Sequence, residues 1–130
     1  MAKTTRKRKK KYNIKLPTLL EKADKVFSFW IRTRDNFTCV VCGSKERPQC
    51  GHLIKRGKHN TRFDEKNCNC QCSSCNWFHN EYPEAYTMFF LDKYGIEEYR
   101  KLMKSAYATP KKHQYTREEL NEIIKKYSKE

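Results

Sequence analysis

Two CxxC pairs, Cys39-Val40-Val41-Cys42 and Cys72-Ser73-Ser74-Cys75, constrain the fold more than any other feature of the chain. Two intervening residues let a tight turn aim both sulfurs of a pair at one point, so the four thiolates can share one Zn²⁺. With sulfur in all four positions, such a zinc has no open site for substrate and serves architecture. Gly43, directly after Cys42, suits the sharp turn of a zinc knuckle. The second pair is expected at the start of a helix, where backbone N–H groups can hydrogen-bond the sulfurs. The long insert between the pairs has room for a β-hairpin. The expected fold is therefore α+β, with a knuckle, a hairpin and a helix around one metal.

A metal staple fits the rest of the composition. The chain has 130 residues, 37% of them hydrophobic, and a mean hydropathy of −1.04. A core that lean gains from a structural zinc. The net charge of +14 points to a polyanionic partner, above all nucleic acid. Seven cysteines is an odd number and four of them are paired in CxxC spacing, which suits metal-bound thiolates in a reducing cytosol better than a disulfide framework. Cys50, Cys68 and Cys70 are left over, and Cys68 and Cys70, flanking Asn69, read as small buried residues on a strand-like segment. No apolar run reaches membrane-spanning length, and no apolar stretch adjoins the basic N-terminus to make a signal peptide.

Residues 1–15 carry Lys3, Arg6, Lys7, Arg8, Lys9, Lys10, Lys11 and Lys15 without an acidic residue. Such a block is expected to be disordered in isolation and to contact a phosphate backbone without regard to sequence. From Pro17 onward, Leu19, Leu20, Ala23, Val26, Phe27, Trp30 and Ile31 recur at helical spacing, while Lys22, Lys25, Arg32 and Arg34 fall mostly off that stripe. This predicts a helix with an apolar face that includes Phe27 and Trp30, broken at Asp35-Asn36. Residues 49–54 read as a strand and residues 55–59 as a basic turn around Gly57. Ala85, Tyr86, Phe89, Phe90 and Tyr94 mark a helix that Gly95 ends, and residues 96–107 mark another. Residues 109–114 are a basic, Pro-containing linker. Thr116 with Glu119 is a capping box that opens a last helix, striped by Leu120, Ile123, Ile124 and Tyr127. The expected organisation is a tail over 1–15, a zinc-bound domain over 16–107, and a linker with a helix over 108–130.

Gly51-His52 on the first strand, Asn67 five residues before a CxxC, and Asn76 directly after Cys75 resemble the HNH (His-Me finger) nuclease motif. The resemblance implies a treble-clef-like ββα core with an N-terminal helix and following C-terminal helices. It implies that His52 is the general base, Asn67 its orienter and Asn76 a ligand to Mg²⁺ or Mn²⁺, which makes this chain an HNN variant. Many members carry an acidic or histidine ligand directly before the base, where this chain has Gly51. A second ligand then comes from elsewhere, with His79, Asn80 or Asp64 as candidates.

A closer resemblance rests on Asp24-Lys25-Val26-Phe27-Ser28, Ile31-Arg32-Thr33-Arg34-Asp35, Gly51-His52-Leu53-Ile54-Lys55-Arg56-Gly57, Thr61-Arg62-Phe63-Asp64 with Asn67, and Gln71-Cys72-Ser73-Ser74-Cys75-Asn76. Together these are similar to the lambdoid phage NinG (Rap) recombination proteins over about residues 16–103. Asn80 matches that family and His79 does not. The resemblance implies a phage-encoded, structure-selective endonuclease in the host cytoplasm, acting on branched DNA such as Holliday junctions or D-loops.

A phosphodiester needs an activated water, and a neutral imidazole is a suitable base for it. Lys55, Arg56 and Arg62 flank the proposed base and are read as phosphate clamps, together with Arg6, Lys7, Arg8, Lys9, Lys10 and Lys11. His59 reads as a loop residue, and His113 carries no signal. Junction resolution often needs two active sites, so a homodimer is a further expectation. A non-catalytic zinc module that binds DNA or scaffolds a recombination complex stands as the alternative. A nicking homing endonuclease fits less well, because no added sequence-reading domain is evident.

Overall fold

The computed structural model describes residues 14–128. Of the expected N-terminal tail, Arg6, Lys7, Arg8, Lys9, Lys10 and Lys11 lie outside the described residues. The first element among the described residues is helix α1 (Leu16–Arg34), with Pro17 in its first turn, where a missing N–H costs nothing. Leu19, Ala23, Phe27 and Ile31 recur every fourth residue and are buried along α1. Trp30, expected with them in the core, is only half-buried. Its ring instead lies under the Arg34 guanidinium at 5.8 Å.

Strand β1 (Pro48–His52) pairs antiparallel with β2 (Cys68–Cys72), with Gln49 opposite Gln71, Cys50 opposite Cys70, Gly51 opposite Asn69 and His52 opposite Cys68. The strand expected over residues 49–54 thus ends at His52. Leu53 N donates to Asn67 O at 2.8 Å, one last rung of the same register, but Asn67 N donates back to Asp64 O at 3.1 Å and its Oδ1 accepts from Ile54 N at 2.8 Å, so the ladder stops there. Turned inward, Leu53 and Ile54 join Tyr86, Phe90, Leu102 and Ala106 in one buried cluster. Burying each large side chain of that cluster contributes about 1.5–3 kcal/mol.

A 3-10 turn (His59–Thr61) lies in the loop between the strands. Four helices follow β2: α2 (Ser73–Phe78), α3 (Glu84–Tyr94), α4 (Ile96–Ala106) and α5 (Arg117–Tyr127). Gly95 separates α3 from α4 at φ 87°, a conformation that side chains rarely adopt. Thr116 and Glu119 form the expected capping box on α5. The architecture is thus helices with a small two-stranded antiparallel sheet.

The described residues divide into two compact units, 14–27 with 115–128, and 28–114. In the first, the Phe27 and Tyr127 rings meet edge to face at 4.7 Å, and Leu19, Ala23 and Leu120 are buried. In the second, the linker over 109–114 is tied down by Asn60. Its Oδ1 accepts from Lys112 N at 2.8 Å, while its Nδ2 donates to the Ser105 and Ala108 carbonyls.

Arg34, expected off the apolar stripe, is drawn into the second unit by five hydrogen bonds. It donates to both carboxylate oxygens of Asp35 at 2.8 and 2.9 Å, to Glu65 O at 2.8 Å, and to Cys68 O and Asn69 Oδ1 at 2.9 Å each. Asp35 Oδ2 also accepts from Cys70 N at 2.7 Å. The residues that end α1 are therefore the clamp that holds β2. Burial opposes the charge on Arg34, yet the adjacent Asp35 carboxylate outweighs it and raises the guanidinium pKa. Among the described residues no helix is long and apolar enough to cross a membrane.

Candidate functional site

The cysteine quartet assembles as the spacing requires. In the knuckle, Gly43 N donates to Cys39 O at 2.9 Å and Cys39 N to Ser44 O at 2.8 Å, with Gly43 at φ 80° making the turn. Val40 N donates to Cys70 O at 2.9 Å and fixes the knuckle to β2. On the other side Cys72 caps α2, its Sγ accepting from Cys75 N at 3.4 Å. Cys42 N donates likewise to Cys39 Sγ at 3.5 Å.

The four sulfurs of Cys39, Cys42, Cys72 and Cys75 all lie within 4.8 Å of one another, and Cys42 and Cys72 are 3.6 Å apart. Zn–S bonds of about 2.3 Å at tetrahedral angles put sulfurs about 3.8 Å apart, so the cluster can hold a structural metal such as zinc. The thiols perturb one another. Burial and then the neighbouring sulfurs push the Cys75 thiol up. Burial also opposes ionisation of Cys39, but backbone N–H donors from Cys42, Cys72 and Val41 prevail and bring it down to about 7. A divalent cation converts this mutual opposition into attraction by holding all four as thiolates.

His52 sits at the end of β1, where the chain turns into the core. Its Nε2 lies 2.9 Å from the Arg62 carbonyl oxygen. A carbonyl only accepts, so Nε2 carries the proton and the lone pair is on Nδ1. The ring is therefore set by Arg62's backbone. Asn67, the expected orienter, is fully buried and spends its amide elsewhere: Oδ1 accepts from Ile54 N, and Nδ2 donates to Ile54 O at 3.1 Å and Thr61 O at 3.0 Å. Asn67 fixes the loop whose next residue after Thr61 presents the carbonyl to His52. Its influence on the ring is one step removed.

The flanking cations separate. Lys55 and Arg56 are exposed, whereas Arg62 is 8% exposed and donates inward to Arg56 O at 3.5 Å. Arg62 therefore braces the loop.

The candidate cation ligands also separate. Asn76 on α2 donates Nδ2 to Gln49 Oε1 at 2.8 Å, which leaves Oδ1 as an oxygen donor. Asn80 is exposed in the turn after α2. His79 points the other way, Nε2 donating to Leu53 O at 2.9 Å, with its ring 5.2 Å from that of Tyr86. Asp64 Oδ1 accepts from the Lys66 and Asn67 backbone N–H groups and shapes the loop.

The surroundings of Gly51 hold a residue that sequence reasoning passed over. A Cβ built on Gly51 would run into the Gln71 side chain, meeting Oε1 most closely and then Cδ at 2.7 Å and Cγ at 2.9 Å. Gln71 is 1% exposed and its Oε1 is a buried acceptor without a hydrogen-bond partner, as is His79 Nδ1. Both residues line one cavity of about 150 Å³. The space that a side chain at position 51 would fill is thus taken by an amide oxygen reaching across from β2.

The family model described as Bacteriophage Lambda NinG protein matches residues 1–130. No curated protein and no solved structure matches the chain.

Proposed function

We propose that this chain, which belongs to the bacteriophage lambda NinG family, is a divalent-metal-dependent DNA endonuclease acting on branched recombination intermediates of the Holliday junction or D-loop type. The observation that carries the reading is the His52–Arg62 hydrogen bond of 2.9 Å. It sets the tautomer a general base needs, with Nδ1 as the proton acceptor at the end of a strand held by a metal-binding cysteine cluster. The chain order β1, β2, α2, with the CxxC at the head of α2, supports reading the core as a treble-clef-like His-Me finger.

In this reading His52 takes a proton from water at Nδ1, and Arg62's carbonyl holds the ring while it does so. Asn67 keeps that carbonyl in place through Thr61 and Ile54. Asn76, with Asn80 exposed in the turn after α2, would hold Mg²⁺ or Mn²⁺ through amide oxygens. The cation, when bound, stabilises charge developing on the phosphate and on the departing oxygen. Lys55 and Arg56, exposed three and four residues after the base, contact phosphates and set register on the duplex. Residues 6–11 add affinity that does not depend on sequence. Resolving a junction takes two cuts, so two copies acting together belong to the proposal, as does work in the cytoplasm of a phage-infected host.

One observation favours the second reading, a non-catalytic zinc module that binds DNA or scaffolds a recombination complex. Gly51 brings no ligand next to His52, and the oxygen that fills its place is uncharged. Incubating zinc-loaded protein with branched and linear DNA in Mg²⁺, Mn²⁺ or EDTA separates the two. The nuclease reading expects cutting that needs the divalent cation and prefers branched DNA. Tight binding without cleavage in either cation would decide for the scaffold.

A further inference from the structure

We propose that Cys50, His52 and Cys68 form a second metal site, separate from the cysteine quartet, that takes a thiophilic divalent cation of the Zn²⁺ class. The placement follows from strand geometry. Cys50 and His52 are two residues apart on β1, so both point to one face of the sheet. Cys68 is the direct cross-strand partner of His52 on β2, which places its side chain on that same face. The Sγ of Cys50, a ring nitrogen of His52 and the Sγ of Cys68 all lie within 4.8 Å of one another.

A tetrahedral zinc with Zn–S of about 2.3 Å and Zn–N of about 2.0–2.1 Å needs ligand separations of about 3.6–3.8 Å. The three groups therefore close on a cation by side-chain movements of about 1 Å. Small size alone does not explain the gathering. Cys70 is as fully buried on the same face of β2 as Cys68, yet it lies outside the group.

The imidazole is also supported as a ligand should be. Metal-binding histidines donate their other ring N–H to a carboxylate or carbonyl, which fixes the tautomer and the ring plane. His52 makes that bond through Nε2 to Arg62 O at 2.9 Å, and in that tautomer Nδ1 carries the lone pair that a cation would take. Cys68 Sγ converges on the same carbonyl at 3.5 Å. Access differs along the group: Cys68 is fully buried and anchors it, while Cys50 and His52 are half-buried and leave a path from solvent. Two thiolates and an imidazole select Zn²⁺, or Co²⁺ as its probe, over Mg²⁺ and Mn²⁺. Three protein ligands leave a fourth position for water.

Occupancy has a consequence that rests on the nuclease reading above: the cation would take the Nδ1 lone pair that a general base needs. Zinc at this site and water activation at His52 would then exclude each other.

The test is a metal titration of the full chain without DNA, with Zn²⁺ measured by a chromophoric competitor and Co²⁺ by its thiolate charge-transfer absorbance. Two equivalents per chain are expected, the second weaker. Cys50→Ser is expected to bind one equivalent with the quartet's Co²⁺ spectrum unchanged. The second affinity should fall by more than the about 10–100-fold that loss of a supporting hydrogen-bond partner costs. His52→Ala gives the same readout on a second, half-buried position. A parent that binds a single equivalent, or a Cys50→Ser protein that keeps the second, would overturn the site. On DNA, zinc beyond the first equivalent is expected to slow the parent and spare Cys50→Ser, and equal slowing of both overturns the competition. A parent that binds two equivalents and never cuts DNA supports the site and refutes only the nuclease reading.

Discussion

Replacing Gly51 by alanine gives a prediction whose sign decides between two accounts of that glycine. If Gly51 were an incidental strand residue, Gly51→Ala would stabilise the protein by about 0.5–1 kcal/mol, because glycine in a strand loses more backbone entropy on folding than alanine does. The Gln71 side chain changes the sign. The new Cβ would overlap Gln71 Oε1 and come within 2.7 Å of Cδ and 2.9 Å of Cγ, so the whole amide must leave its place. Gln71 is 1% exposed, and the space left to its amide is the cavity of about 150 Å³ that it lines with His79, where it must repack. Overpacking of this kind costs about 1–3 kcal/mol. The assay is urea unfolding of zinc-saturated protein, with the slope checked for two-state behaviour. In a Gln71→Ala background the obstruction is gone, and alanine at 51 should then stabilise by about 0.5–1 kcal/mol. The cycle should therefore show a coupling of about 1.5–4 kcal/mol between the two positions. A Gly51→Ala protein as stable as the parent, with Gln71 intact, would refute the claim that Gln71 occupies the space beside β1.

Three further outcomes follow from the same geometry. Cys72→Ser should lose the quartet's zinc and its cooperative melting transition together, because Cys72 caps α2 and would be one of the four ligands; zinc analysis beside a melting scan reads both, and retained zinc with a parental transition would break the four-thiolate assignment. Arg34→Lys should destabilise by about 3 kcal/mol in denaturant titration, since a single ammonium cannot reproduce the five bonds to Asp35, Glu65, Cys68 and Asn69. Deleting residues 1–11 should weaken binding to branched and linear DNA alike and flatten the plot of log K against log salt by about 0.9 for each phosphate that is no longer neutralised; an unchanged slope would show that these cations do not meet DNA.

What the sequence made legible is what depends on local spacing. The CxxC pairs, Gly43, Gly95 and the Thr116–Glu119 box each act within one turn of chain, and each appears where expected. The every-fourth-residue stripe of α1 is similarly local. Long-range polar interactions were not legible. Nothing in the run Thr33-Arg34-Asp35-Asn36 shows that its arginine and aspartate reach β2, because their partners there are mainly backbone groups that any residue carries. The same reason hides Arg62: its carbonyl, and not its cation, is what faces His52. The apolar pattern carries strand β1 two residues too far, because Leu53 and Ile54 are as apolar as strand residues are, and only Asn67 turns them inward. Gly51 looks like a missing ligand in the sequence, but the neighbouring strand supplies an amide oxygen to its place. Cys50 and Cys68 look unrelated because their meeting depends on a hairpin register that the loop between them does not announce.

The central claim, that His52 is a general base, is tested most directly by the rate of DNA cleavage in His52→Ala. The measurement is single-turnover cutting of a branched substrate, at protein concentrations that saturate binding, on folded protein with its quartet zinc confirmed. The account predicts that binding stays within a few-fold of the parent while the cleavage rate falls by about 10²–10⁴-fold, the value of a positioned general base. A folded, DNA-bound His52→Ala protein that cuts at the parental rate would contradict it.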